Sequence, residues 1–166
     1  MAKPIVVTNA GPLIYLALLD HFHLLHDLFH DVFVPEAVYG EVVLQGGGLP
    51  GASETEAAVR KGLFHKAKVQ NRIAVDALLA ELDLGEAEAI VLAREANAGR
   101  ILLDDRAARN KAALMGLRSV TGTIGVLLLA RDTGFPINLQ SDLDRLIQHN
   151  FRIAPDLYER LVSPRP

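Results

Sequence analysis

Short unbroken runs of apolar residues alternate along this chain with longer segments whose apolar positions recur every three or four residues, the spacing of one helical face. PIVVT (4–8) is the first run and reads as a strand, cut off by Asn9-Ala10-Gly11-Pro12. Leu13, Leu16 and Ala17 then fall at helical spacing, and a second helix is predicted over 21–29. DVFVP (31–35) is a short strand, and Pro35 suits the first turn of the helix EAVYGEVVLQ that follows. QGGGLPGAS (45–53) is the clearest loop. Its glycines lack the Gly-Lys-Ser/Thr of a phosphate cradle and read as a hairpin between helices.

A further helix begins near Glu54, and the basic stretch HKAKV (65–69) is strand-like. Residues 73–82 are predicted helical. Asp83 and Gly85 then precede a strongly helical segment, EAEAIVLAREAN, ended by Gly99. ILLDD (101–105) is the best strand in the chain, followed by the helix RAARNKAALMG with Gly116 as its stop. RSVTG makes a last short strand, and Thr123 is placed to cap the helix after it. Two amphipathic segments, SDLDRLIQHN and PDLYERLV, complete the pattern. The alternation predicts an α/β fold with a small, mainly parallel sheet, in a single domain over residues 1–166.

Composition narrows the chemistry. Half of the 166 residues are hydrophobic and 22% are charged, a globular balance. Cysteine is absent, which excludes disulfides, zinc–thiolate sites and cysteine nucleophiles and suits a reducing compartment. The opening residues lack the long apolar region and cleavage site of a signal peptide, and no stretch approaches the ~18 apolar residues of a membrane span. A soluble cytoplasmic protein is expected. The net charge of −3 argues against a blanket basic surface, so any nucleic-acid contact needs a local patch. The segment RKGLFHKAKVQNR (60–72) has five basic residues and no acid. Lys66, Lys68 and Arg72 are its candidate RNA contacts, against the alternative of a solvated face between two helices.

In a parallel α/β sheet, ligands bind beyond the carboxyl ends of the strands. Asn9 follows the first strand, and Asp104 and Asp105 end ILLDD. Running apolar residues directly into two aspartates is costly unless the charges face solvent or a cation. The plainer possibility is a turn in which Asp105 caps the next helix. Winding residues 86–97 at ~100° per residue puts Glu86 on the apolar arc with Ile90 and Ala93, and Glu88, Arg94 and Glu95 on the polar side. A glutamate facing the core needs a partner, and a metal ion is one; alternatively Glu86 only favours the helix N-terminus. Periodicity does not separate Glu41 from Glu36.

The runs VTNAGPLIYLA, VFVPEAVYGEVV, LDLGEAEAIVLARE and ILLDDRAARNKAALMGLRSVTGTIGVLLLA, with the tail FRIAPDLYERL, closely resemble a bacterial PIN-domain family, in the VapC-related branch of proteins taken to bind nucleic acid. The similarity covers nearly the whole chain in order. It implies a PIN-like three-layer fold in which acidic residues at one end of a small sheet hold Mg²⁺ or Mn²⁺ for hydrolysis of RNA phosphodiesters. By motif position the catalytic set is Asn9, Glu41, Glu86, Asp104 and Asp105, with the four carboxylates as metal ligands. Such relatives act as toxins of toxin–antitoxin pairs, which implies a small DNA-binding antitoxin and a homodimer as partners. Hard oxygen ligands without cysteine agree with Mg²⁺ or Mn²⁺, and an ion that activates water removes the need for a side-chain nucleophile. One departure stands out: Asn9 occupies a position where PIN nucleases commonly carry aspartate. The alternative function is therefore a catalytically weakened PIN module that binds RNA or a partner protein. A third reading is a pure protein-interaction domain.

Other signals are weaker. His21, His23, His26 and His30 cluster, with metal-ligand potential at helical spacing, but read as a polar-aromatic helix edge. No serine has a nucleophile-elbow setting.

Overall fold

The computed structural model describes residues 4–164 and divides into two compact units, Met1–Thr123 and Ile124–Pro166. The first unit is built on five parallel strands: β1 (Ile5–Thr8), β2 (Asp31–Pro35), β3 (Phe64–Ala67), β4 (Arg100–Leu102) and β5 (Val120–Thr121). Their spatial order is β3-β2-β1-β4-β5. The chain leaves the central strand β1 for β2 and β3, then returns to the other side of β1 for β4 and β5. Connections thus diverge between β1 and β4, and in parallel α/β sheets ligands bind beyond the carboxyl ends of strands at such a point. The register there is tight: Thr8 pairs with Leu102, and Asn9 N–H donates to the Leu102 carbonyl at 3.0 Å. Asn9 and Asp104 are delivered to one place by two adjacent strands.

Helices α1 (Ala10–Leu18), α2 (His23–Leu28), α3 (Glu36–Tyr39), α4 (Ala52–Arg60), α5 (Arg72–Leu78), α6 (Leu84–Glu95) and α7 (Arg106–Leu114) flank this sheet. Pro35 closes β2 and stands as the N-cap of α3 rather than inside its first turn. α3 runs on into a π-helical turn, Gly40–Gln45. α6 packs against β1, β2 and β4 and against α3, α5 and α7, so neighbours surround it on most sides. Ala87, Ala89, Ile90 and Ala93 are all fully buried. That surrounding overturns one sequence-based assignment. Glu88, expected on a polar face, is 5% exposed, because α6 has no broad solvent face from its second turn until its last. The helix stops at Asn97, which takes the left-handed conformation (φ 49°), two residues before the expected Gly99; α7 ends as expected, with Gly116 at φ 85°.

The second unit contains α8 (Thr123–Asp132, starting at the unit boundary), α9 (Leu139–Gln148) and α10 (Pro155–Val162). Asn138 Oδ1 caps α9 by accepting from Ser141 N–H at 3.1 Å, and α9 and α10 pack together with a Tyr158–Asp144 hydrogen bond. No helix among the described residues is long and apolar enough to cross a membrane.

Because α6 touches three strands at once, a cavity there should be felt through the whole first unit. Ile90→Ala is expected to destabilise the protein by about 2–5 kcal/mol, read from denaturant unfolding. A loss below about 1 kcal/mol would show that α6 is not the keystone of the core.

Candidate active site

Asn9 is the N-cap of α1, with extended backbone and no side-chain capping bond. Its Oδ1 is buried without a hydrogen-bond partner. Buried amide oxygens are rarely left unpaired, and such an orphan is a place for a ligand or an ion. Gly85, the second residue of α6, faces it. A Cβ on Gly85 would lie 3.3 Å from Asn9 Oδ1 and 3.3 Å from Glu41 Oε2, with Val38 Cγ2 at 3.4 Å. A side chain here would crowd both oxygens, and glycine lets the amide and the carboxylate converge over it. Glu41 comes from the π turn after α3 and, among the described residues, accepts no hydrogen bond.

Glu86 stands one residue on. It forms a capping box with Asp83: Asp83 Oδ1 accepts from Glu86 N–H at 2.8 Å, and Glu86 Oε2 accepts from Asp83 N–H at 3.1 Å. The helix-terminus role weighed from the sequence is thus real, but it coexists with a half-buried carboxylate close to Glu41. Burial raises the Glu86 carboxyl above its ordinary value, as do the nearby charges of Asp83, Asp105 and Glu41 against a lowering backbone bond. Glu41 is shifted the same way, by burial first and then by Asp83. Asp83, unmarked as a site residue in the sequence, is a member of this cluster. Its signal there was the Asp-x-x-Glu spacing of a capping box.

The two aspartates after β4 separate cleanly. Asp105 is the N-cap of α7, its Oδ2 accepting from Ala108 N–H at 3.0 Å, and it remains exposed. Asp104 turns inward. Its Oδ1 accepts from Thr123 N–H and its Oδ2 from Thr123 Oγ1, both at 2.7 Å. A Cβ on Gly11 would lie 2.6 Å from Asp104 Oδ2, and one on Gly122 would lie 2.8 Å from Asp104 Oδ1 and 2.8 Å from Arg109 Nη1. Asp104 is therefore nested between two glycines. Burial raises its carboxyl, opposed by the Thr123 bonds and the Arg109 charge.

The basic segment divides too. Lys66 and Lys68 are exposed at the carboxyl end of β3, with Lys66 Nζ 4.8 Å from the centre of the Tyr39 ring. Arg72 is instead bound to Glu88, Nη1 to Oε2 at 2.7 Å. The histidines do not assemble: His21 and His23 meet edge to face at 6.2 Å, and His30 sits beside Asp31.

Among the described residues, no three acidic or histidine side chains are close enough to enclose an ion by themselves. Mg²⁺ and Mn²⁺ do not require that, since they are held by one or two carboxylates and keep several waters. The orphaned Asn9 oxygen opposite an unpartnered Glu41 carboxylate fits such an ion.

A five-stranded all-parallel sheet flanked by helices, with Asn9 and Asp104 at its strand-order reversal, is consistent with a PIN-like fold. A family model described as a PIN domain matches residues 5–164, and the chain belongs to the PIN-domain family, whose members are generally nucleases. No individually curated protein matches the chain.

The raised carboxyls make a pH signature. Glu41, Glu86 and Asp104 hold their protons more tightly folded than unfolded. Each then contributes stability that is complete below the ordinary carboxylate range, about 4, and is lost as pH rises through its raised value. In chelator, melting temperature should rise as pH falls from neutrality towards that range, and Glu41→Gln or Glu86→Gln should flatten the rise. Identical slopes in native and variant proteins would contradict it.

Proposed function

We propose that this chain is a Mg²⁺- or Mn²⁺-dependent endoribonuclease acting in the cytoplasm, of the kind that serves as the toxin of a toxin–antitoxin pair, with RNA as substrate. The observation that carries the reading is the buried, unpartnered Asn9 Oδ1 facing Glu41 Oε2 across Gly85. Family membership supports a nuclease, and the VapC-like motifs favour RNA over DNA.

Asn9 and Glu41 would seat the ion, with Glu86 and the outer oxygen of Asp105 completing the negative rim. Asp104, both of whose oxygens are committed to Thr123, would fix the loop after β4 and orient Asp105. When bound, Mg²⁺ or Mn²⁺ supplies the Lewis acid that activates water and offsets charge gathering on the phosphate. Glu86, close to Glu41 and with its carboxyl raised by burial, would accept a proton from water entering the cluster. Lys66 and Lys68, at the same edge of the sheet, would draw the phosphate backbone towards the cluster; Arg72 contributes less, being held by Glu88. A homodimer and a small DNA-binding antitoxin belong to the same proposal.

A second reading is favoured by one feature, the neutral amide at Asn9. With one formal charge fewer than the usual aspartate, the chain would be a weakened PIN module that binds RNA or a partner protein. Asn9→Asp separates the two. Placing a carboxylate 3.3 Å from the same point as Glu41 should tighten Mn²⁺ binding and speed cleavage of single-stranded RNA, while lowering melting temperature without metal. A gain of about tenfold or more in cleavage, worth about 1.4 kcal/mol in the barrier, would mark the natural protein as impaired. Native activity abolished by Glu41→Gln, with little gain from Asn9→Asp, would mark it as a competent enzyme. No change in metal binding or cleavage from either substitution would remove both residues from the site.

A further inference from the structure

Glu88 has no part in the chemistry above, yet it is buried within the first unit. A carboxylate out of water is tolerated only when paired and hydrogen-bonded. Glu88 has partners on two different helices: Oε1 accepts from Ala37 N–H at 3.0 Å, and Oε2 binds Arg72 Nη1 at 2.7 Å. Ala37 is the second residue of α3, and its N–H is among the donors that every helix start leaves without an intrahelical partner. A side-chain cap usually satisfies such a donor, but Pro35, at the N-cap, has no side-chain oxygen to offer. The start of α3 is held from α6 instead, 51 residues along the chain.

The geometry repeats one turn away. Gly85 lies three residues before Glu88 on α6, and Glu41 lies four residues after Ala37 on the continuous α3–π segment. Glu88 with Ala37, and Gly85 with Glu41, are two rungs between the same pair of helices, about one helical turn, roughly 5.4 Å, apart. Among the described residues the outer rung has no bond of its own: Glu41 accepts no hydrogen bond and is repelled by Asp83. The inner rung is bonded.

We propose that Glu88 is a positioning residue, fixing the register of α3 on α6 so that the Glu41 carboxylate meets the Asn9 oxygen over Gly85. The inference rests on the reading of Asn9 and Glu41 as the seat of the ion. Arg72, which neutralises Glu88, thereby serves the site from within the fold rather than by touching RNA.

Three variants test it. Glu88→Leu removes acceptor and charge together. Glu88→Gln keeps an oxygen for Ala37 N–H. Ala37→Pro deletes the donor but leaves the Glu88–Arg72 pair, in the first helical turn, where proline is tolerated. Each is measured for Mn²⁺ affinity by calorimetry, for kcat and KM on single-stranded RNA, and for the nuclear Overhauser effect between the Val38 methyls and the Gly85 α-protons. Glu88→Leu and Ala37→Pro are expected to bind Mn²⁺ roughly tenfold more weakly, to lose on the order of a hundredfold in kcat with KM little changed, and to lose the Val38–Gly85 signal. Glu88→Gln should stay within about threefold of native on each. An unchanged affinity and signal in Glu88→Leu or Ala37→Pro overturns the proposal, and so does a Glu88→Gln protein as impaired as Glu88→Leu. If Glu88→Leu does not fold, the other two variants decide on the same readouts. The proton contact reports register without metal. Native protein that binds no Mn²⁺ would therefore defeat the ion site, while the contact series still judges Glu88.

Discussion

Unneutralised negative charge at the carboxyl edge of the sheet is the constraint around which this protein is arranged. Glu86 stands within electrostatic reach of Asp83, Asp105 and Glu41, and Glu41 of Asp83, and among the described residues none of the four forms an ion pair with a cationic side chain. Like charges so close oppose the compact state, and they add to the burial that raises the Glu41 and Glu86 carboxyls. The fold bears that cost by fixing the acidic residues around Glu41 with bonds on their other side. Asp83 and Glu86 lock each other in a capping box, Asp105 caps α7, and Asp104 is turned away into the paired donors of Thr123. A divalent cation would relieve the repulsion directly, and the proposed seat for it is the orphaned oxygen of Asn9.

α6 ties these pieces together. Its first two turns present, in order, the Asp83–Glu86 box, the bare surface of Gly85 and the buried Glu88. Its buried Ala87, Ala89, Ile90 and Ala93 belong to the core, and the helix packs on three strands. The same helix therefore builds the core and sets the distances in the site. The cost of burying Glu88 is offset by Arg72 and by the free donor of α3. Strand order does the rest. Because β1 and β4 are neighbours whose connections run in opposite directions, Asn9 and Asp104 arrive side by side although they are far apart in sequence.

Much of this was readable in the chain. The strands at 4–8, 31–35 and 101–105, their parallel arrangement, and the place of Asn9 and the Asp104–Asp105 pair at carboxyl ends follow from apolar runs cut short by polar turns. What escaped was set by distant partners. An angular projection of α6 assumes one wet face, and α6 is enclosed on most sides, so Glu88 was misplaced. The pairing of Arg72 was hidden as well, because its partner Glu88 is on another helix, 16 residues away. Glu41 and Glu36 were indistinguishable by periodicity, since the π turn that follows α3 is what carries Glu41 to Gly85. The two aspartates could not be told apart either, because the Thr123 donors that claim Asp104 come from 19 residues further on.

Whether the Asn9 oxygen and the Glu41 carboxylate seat a divalent ion is best tested by anomalous scattering at the manganese edge, from crystals of the native protein soaked in Mn²⁺. The expected result is a single strong peak within about 2.5 Å of Asn9 Oδ1, with Glu41 its nearest carboxylate. A peak seated elsewhere, or none at millimolar Mn²⁺, would contradict it.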